Sequence, residues 1–337
     1  MSDLSVAVVG ATGAVGRVMR DILSERSFPI GQLRLMASER SAGTVIETGY
    51  GAVEVEDLAK ADPSGIDIAL FSAGGDRSRQ YAPKFAEAGA IVIDNSSAFR
   101  MDADVPLVVA DVNNEAALSH NGIIANPNCT TMVLMMAVAP LHRAAGLQGM
   151  VTTSYQSVSG TGNSAIAELR DQAEWFAKTP QALIDGGWEE PDHTVFTRPI
   201  GWNVLPFAGN EVDGGYTDEE MKLQNESRKI LDIPDLLVEP TCVRVPVVVG
   251  HGIAATLWFG DPMSPDEATK LIDDAPGVQV WSEKTATPLD SAGMDDVLVS
   301  RIRATLGESG GINLWAVGDN LRKGAALNTI QIAELFL

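Results

Sequence analysis

The chain has 337 residues, 45% of them apolar and 20% charged, with a formal net charge of −21. That apolar content can fill a sizeable core and excludes wholesale disorder, and the length suits two domains. The acidity argues against nucleic acid and anionic membrane surfaces as partners. An anionic substrate remains admissible where Arg, Lys and backbone N–H groups cluster locally.

The first third alternates short apolar runs with helical spacing. Residues 6–9 and 33–37 read as strands around a helix at 15–23. Residues 66–71 and 90–93 read as strands around a helix at 78–88, and 107–109 and 123–125 as further strands. Such alternation predicts βαβ units and a parallel sheet. Residues 130–144 read as an apolar, buried helix. The longer two-sided runs 151–158, 243–249, 254–259 and 297–304 predict a second sheet, largely antiparallel. Residues 175–215 are rich in Gly, Pro and Trp without periodicity, and read as an excursion suited to a subunit interface. The tail, 324–335, is amphipathic and is expected to return to the first domain. The expected fold class is α/β: a Rossmann-type dinucleotide-binding domain over 1–128 plus the C-terminal helix 320–337, and an α+β domain over 129–319.

Gly10-Ala11-Thr12-Gly13-Ala14-Val15-Gly16 follows the first strand and opens the first helix. Glycines there permit a tight turn and close approach of the backbone to a pyrophosphate, which the helix N-terminus then attracts. The second strand ends in Ser38, Glu39, Arg40 and Ser41. A basic residue where an acidic one would hold the ribose hydroxyl favours NADP over NAD, with Glu39 facing solvent. Ser72-Ala73-Gly74-Gly75 ends a later strand and is either a cofactor contact or an ordinary helix-start loop.

The two cysteines, Cys129 and Cys242, are too few for a disulfide framework. The chain runs from Met1 into an apolar strand with no leader pattern, and no apolar run approaches the ~18 residues of a membrane span. The expected setting is cytoplasmic and reducing, with no metal. Asn126-Pro127-Asn128-Cys129-Thr130-Thr131 delivers Cys129 to the start of the apolar helix, whose positive end favours a thiolate. Taken alone, Cys129 is either a nucleophile or a buried structural cysteine; Cys242, entering a strand, reads as core. Of the four histidines, His251 is the best acid/base candidate, because it ends an apolar strand between two glycines. Arg244 starts that strand and either clamps a carboxylate or sits on the surface. Thr217-Asp218-Glu219-Glu220 reads as a capping box. Glu219 and Lys222 share a helix face, as a solvated ion pair or as ligands for ammonium and phosphate.

Together these motifs resemble the aspartate-semialdehyde dehydrogenases over nearly the whole chain. The resemblance also rests on Asp94-Asn95-Ser96-Ser97-Ala98-Phe99-Arg100, Tyr155-Gln156-Ser157-Val158-Ser159-Gly160 and Gly318-Asp319-Asn320-Leu321-Arg322-Lys323-Gly324. It implies that 129–319 is the catalytic and dimerisation domain of a homodimer. Cys129 is then the nucleophile, His251 the acid/base, and Gln156 orients the reacting group. Arg244 and Glu219 hold the amino-acid end of the substrate, and Arg100, Asn128 and Lys222 hold phosphate. Gly10, Thr12, Gly13, Ala14, Val15, Gly16, Ser38, Arg40, Ser41, Ser72, Gly74, Ser159, Gly160 and Asn320 form the cofactor site. The implied reaction is NADPH-dependent reduction of 4-aspartyl phosphate to the semialdehyde, early in lysine, threonine, methionine and isoleucine biosynthesis. A related reductase, such as N-acetyl-glutamyl-phosphate reductase, shares the Gly-turn, Cys and His logic; a silent dinucleotide-binding regulator would not need Cys129, Gln156 and His251 together.

Overall fold

The computed structural model describes residues 4–307 and 310–337. Met1–Asp3, with which the chain is read as entering its first strand, lie outside the described residues. Two compact units emerge. One comprises Met1–Ala139, Asn225–Pro234 and Leu321–Leu337; the other comprises Pro140–Gln224 and Asp235–Asn320.

The first unit is built on a 7-stranded sheet. Its strands are β1 (Leu4–Val9), β2 (Ile30–Ala37), β3 (Val45–Thr48), β4 (Gly51–Asp57), β5 (Ile68–Phe71), β6 (Ile91–Asp94) and β7 (Ile123–Ala125). They lie in the order β3-β4-β2-β1-β5-β6-β7, all neighbours parallel except the β3/β4 hairpin. Helix α1 (Ala14–Glu25) follows β1 and buries Met19, Ile22 and Leu23. Helix α2 (Gly75–Glu87) follows β5, and α3 (Cys129–Ala145) follows β7. The α3 stretch Met132–Ala139 is buried all round, as its unbroken apolar sequence requires. The tail returns as the helix Leu327–Glu334, which buries Leu327, Ile330 and Ile332 in the core shared with Val6 and Val8. Each such side chain contributes roughly 1.5–3 kcal/mol. Chain order reverses on either side of β1, because β2 lies on one flank and β5 on the other. The carboxyl ends of these strands are where a parallel sheet opens to a ligand.

Two details differ from expectation. Residues 107–109 form no strand, only an isolated bridge from Leu107 to Ala125; Pro106 before them has no N–H to extend a ladder. The β3/β4 hairpin is not read as strands, because acidic residues and glycine interrupt Val45, Ile46, Val53 and Val55, and of these only Val55 is buried.

The second unit holds a 6-stranded sheet of β8 (Leu147–Gln156), β9 (Leu237–Arg244), β10 (His251–Phe259), β11 (Val278–Trp281), β12 (Val297–Ala304) and β13 (Ile312–Gly318). The order is β11-β12-β13-β10-β8-β9. The three inner pairings are antiparallel, and each edge strand runs parallel to its neighbour. Helices α4 (Asn163–Lys178) and α5 (Pro180–Asp185) precede an irregular run, and α6 (Asp218–Leu231) follows it. A small core of Val158, Ala165, Leu169, Ile200 and Leu205 anchors this excursion.

The apolar run 243–249 is not a strand. The ladder stops at Arg244 and resumes at His251. Pro246 cannot donate to a ladder, and Gly250 turns the chain at φ +93. Arg244 therefore ends one strand and His251 begins the next, reversing their expected positions. Likewise β8 ends at Gln156, and Val158 lies in a short 3-10 turn. Among the described residues no helix is long and apolar enough to cross a membrane.

Candidate active site

In the first unit, the turn after β1 is built around glycine. The Gly10 and Ala11 amides both donate to Met36 O, at 2.8 and 3.1 Å. Gly10 has φ +85, and a Cβ there would lie 2.2 Å from Ser72 O. A Cβ on Gly16 would lie 2.2 Å from Gly10 O. The β1 turn, α1 and the β5 loop thus approach more closely than any side chain allows. Gly10→Ala is expected to cost about 2–4 kcal/mol through left-handed strain and backbone clash. Urea midpoints for the two proteins at equal concentration check this, and an unchanged midpoint would contradict it.

The turn lines a cavity of about 200 Å³ together with Thr12, Ser38, Arg40, Ser72 and Arg77. Thr12 and Ser41 hydroxyls lie 3.4 Å apart, and the Glu39 side chain points outward, 83% exposed, toward Lys60. Gly74, at φ +87, leads into α2. Arg77 is a cation the sequence reading missed; its Nη1 donates to Ala73 O at 3.3 Å. Its position three residues into the helix after Ser72-Ala73-Gly74 was the available signal.

The same unit fixes the cysteine turn. Cys129 is the first residue of α3 and is partly exposed. Asn128 caps the helix, its Oδ1 accepting from Thr130 N at 2.9 Å. Behind it, Asn126 Nδ2 donates to Asn95 Oδ1 at 2.6 Å, and Asn328 Nδ2 donates to Asn126 Oδ1 at 2.6 Å. Arg100 is buried beside this turn. Its Nε donates to Asn126 O at 2.9 Å and its Nη2 to Asn95 O at 3.0 Å. Glu226, also missed in the sequence, joins the two features. Its Oε1 pairs with Arg100 Nη1 at 3.0 Å, and its Oε2 accepts from Asn128 N at 2.6 Å.

In the second unit, three neighbouring strands meet at one end of the sheet. Gln156 closes β8 and is the register partner of Arg244, which closes β9; His251 opens β10 beside them. Gln156 Nε2 donates to Glu219 Oε2 at 3.4 Å, and Lys222 Nζ donates to Glu219 Oε1 at 2.8 Å. Burial alone would push the Lys222 ammonium's pKa down, but Glu219 and Asp218 outweigh it and leave it raised. The capping box forms: Glu220 Oε2 accepts from Thr217 N at 2.7 Å, and Glu220 Oε1 accepts from Cys242 N at 2.9 Å. Arg244 Nη1 donates to Ser157 O at 3.1 Å. A Cβ on Gly160 would fall 3.5 Å from Arg244 Nη1 and 3.6 Å from His251 Nε2, so the 157–162 loop lies against both. Asn320 ties this loop down. Its Oδ1 accepts from Gly250 N at 2.9 Å and its Nδ2 donates to Ser159 Oγ at 2.9 Å. Burial, then Arg244, pushes the His251 pKa down to about 3. Cys242 is wholly buried, and desolvation pushes its thiol up to about 12.

The first unit offers a partly exposed thiol at a helix start, the buried guanidinium of Arg100 and a glycine turn suited to a pyrophosphate; the second offers a buried imidazole beside Arg244. Comparison with known proteins gives the family. Residues 5–120 match the semialdehyde dehydrogenase NAD binding domain, and residues 138–323 match the semialdehyde dehydrogenase dimerisation domain. The chain is 52% identical to the aspartate-semialdehyde dehydrogenase of Streptomyces akiyoshiensis over 98% of both chains. The crystal structure of aspartate semialdehyde dehydrogenase II from Vibrio cholerae superposes with a TM-score of 0.93 at 43% identity, covering 99% of this chain and 98% of that one. The same enzyme complexed with ASA gives a TM-score of 0.92 at 42% identity, covering 100% and 98%. With matched domains, full-length relatives and the motifs in order, the chain belongs to the aspartate-semialdehyde dehydrogenase family.

Proposed function

We propose that this chain catalyses the NADPH-dependent conversion of L-4-aspartyl phosphate to L-aspartate 4-semialdehyde, in biosynthesis of the aspartate-derived amino acids. The observation that carries the reading is the contrast between its thiols: Cys129 is partly exposed at the first residue of α3, while Cys242 is buried and pushed up to about 12.

The thiolate of Cys129 attacks the acyl carbon, the bond to phosphate breaks, and a thioester remains. The bound dinucleotide supplies the hydride that reduces this thioester. N–H groups at the start of α3 hold the negative charge that develops on oxygen, and His251 attends the same oxygen. Cleavage of the C–S bond returns the thiolate and frees the aldehyde. Gln156 orients the reacting group. Arg244 takes the substrate carboxylate in two-pronged fashion, and Glu219 takes its ammonium. Arg100, Asn128 and Lys222 receive phosphate. Arg100, Lys222 and Arg244 make an anion site workable in a chain of net charge −21.

The turn fits a dinucleotide, because close backbone packing at Gly10 and Gly16 sets the start of α1 beside the cavity lined by Thr12, Ser38 and Arg40. Thr12, Gly13, Ala14 and Val15 present the helix start to the pyrophosphate. Ser72 and Gly74 border it, and Ser159, Gly160 and Asn320 serve the nicotinamide end. Ser38, Arg40 and Ser41, with Arg77, take the 2′-phosphate. Arg40→Ala is expected to weaken NADPH binding about 10–100-fold, the loss of one charge-assisted contact, and to leave NADH nearly unchanged. Fluorescence titration with both nucleotides decides it; equal weakening of both would refute the assignment.

We further propose a homodimer formed on the outward face of the second sheet. In support, Val151 is 44% exposed on β8 and Leu237 71% exposed on the adjacent β9. The reaction itself is tested by following NADP reduction with L-aspartate 4-semialdehyde and phosphate. Turnover that requires phosphate supports the proposal; turnover without phosphate, or only with a different acyl substrate, would replace it.

A further inference from the structure

The turn before Cys129 is tied to the far end of the chain by two buried amides, Asn126 and Asn328, both 0% exposed. Asn328 lies on the C-terminal helix Leu327–Glu334 and is held by backbone on two sides. Its Oδ1 accepts from Ala110 N at 2.9 Å, and its Nδ2 donates to Val108 O at 3.0 Å. A backbone N–H can only donate and a carbonyl can only accept, so one orientation of the amide is possible. The second Nδ2 proton goes to Asn126 Oδ1 at 2.6 Å. That bond turns the Asn126 Nδ2 the other way, where it donates to Asn95 Oδ1 at 2.6 Å and to Ala325 O at 3.3 Å. Every N–H of the two amides is used, and each side-chain oxygen has a donor. The backbone of Asn126 is fixed as well: its N–H donates to Asp94 O at 2.8 Å, and its carbonyl accepts from Arg100 Nε at 2.9 Å. Only Pro127 and Asn128 separate it from Cys129. The proline ring locks its own φ at about −65°, so few torsions remain through which the cysteine could drift.

We propose that Asn328 is a positioning residue for the nucleophile: acting through Asn126, it sets the turn that presents Cys129 at the start of α3. This rests on the acyl-transfer reading above. Asn328 makes and breaks no bond in the reaction. It contributes the geometry of attack, where a misplacement of about 1 Å costs about 10²-fold in rate. Two buried amides with no donor to spare suit this task, because losing one partner leaves the next unsatisfied and free to turn. The helix that fills the core beside Val6 and Val8 thereby also serves the chemistry. An asparagine that only docked the helix would differ in one respect: its loss would lower stability and leave the kcat of the folded enzyme alone.

The test is a double-mutant cycle in kcat, made of Asn126→Ala, Asn328→Ala and the pair in the full chain, with L-aspartate 4-semialdehyde, NADP and phosphate as substrates. Each single variant is expected to lower kcat about 10²-fold and to leave the Kd of NADP nearly unchanged. The double variant should be no slower than Asn126→Ala alone, because Asn328 acts through Asn126. Iodoacetamide labelling supplies an independent readout. In both single variants the pH profile of Cys129 alkylation should move upward, as the start of α3 loses its hold on the thiolate. Cys242 is buried and should stay unlabelled, which verifies the fold in the same sample. Wild-type kcat in a folded Asn328→Ala, or losses that multiply in the double variant, would overturn the proposal. If one single variant fails to fold, the other still decides, because each breaks the same 2.6 Å bond from its own side. Failure of the acyl-transfer reading shows in the wild type instead, as turnover that survives Cys129→Ala or as no turnover at all, and the alkylation profiles then still test the turn.

Discussion

Cys129→Ala is expected to lower kcat by about 10⁴–10⁶-fold, the range seen when a covalent nucleophile is removed. The residual rate comes from binding and from the donors at the start of α3, which cannot replace a bond to the acyl carbon. Cofactor binding should persist, because no residue of the Gly10–Gly16 turn or the Arg40 cluster changes. Cys242 cannot substitute: it is enclosed, and its thiol is pushed up to about 12, so the thiolate fraction near neutral pH is negligible. Stopped-flow measurement of phosphate-dependent turnover, with NADPH titration as a folding control, checks the prediction. A variant within tenfold of wild type would move the chemistry away from Cys129.

The largest stability effect is expected at Glu226. Its carboxylate is 1% exposed and is the ion-pair partner of Arg100, itself 9% exposed at the side chain. The other oxygen accepts from the Asn128 amide, directly before the nucleophile. Glu226→Ala leaves a buried guanidinium without its counter-charge and a buried N–H without its acceptor. Breaking a buried pair from one side costs about 3–5 kcal/mol. Glu226→Gln keeps an acceptor for Asn128 and should lose less. Urea midpoints at one fixed protein concentration order the three proteins, which avoids the dependence of an oligomer's stability on concentration. An alanine variant within about 1 kcal/mol of wild type would show that the pair contributes little. The alanine variant should also lose kcat, because the 126–129 turn is no longer held.

The legible parts of the sequence were those where one residue type is forced. Gly10 and Gly16 stand where a Cβ would meet backbone at 2.2 Å, so the turn declared itself. β1 and β5 are buried on both faces and read as unbroken apolar runs. Cys129 stood out because a polar, proline-containing turn feeds an apolar helix, which the structure has as α3. Elsewhere local pattern and tertiary placement diverged. The run from Val243 to Val249 has strand composition, yet Pro246 and Gly250 break the ladder and leave Val248 47% exposed. Glu226 was hidden by its chemistry. On α6 the buried positions are Glu220, Leu223, Glu226, Ser227, Ile230 and Leu231, so Glu226 lies on the inward stripe between Leu223 and Ile230. The spacing was readable, but only the partner, Arg100, far away in sequence, explains why an acid is tolerated there. The 3.1 Å hydrogen bond from the Ser157 amide to His251 Nδ1 had no sequence signal, because the donor is a backbone N–H.

Trapping the covalent intermediate tests the role of Cys129 most directly. The protein is incubated with L-aspartate 4-semialdehyde and NADP in phosphate-free buffer, quenched in acid and digested, and its cysteine peptides are weighed. An aspartyl thioester is expected on the Cys129 peptide alone, discharged when phosphate is added before the quench. Turnover with no adduct on Cys129, or an adduct on the Cys242 peptide, would contradict it.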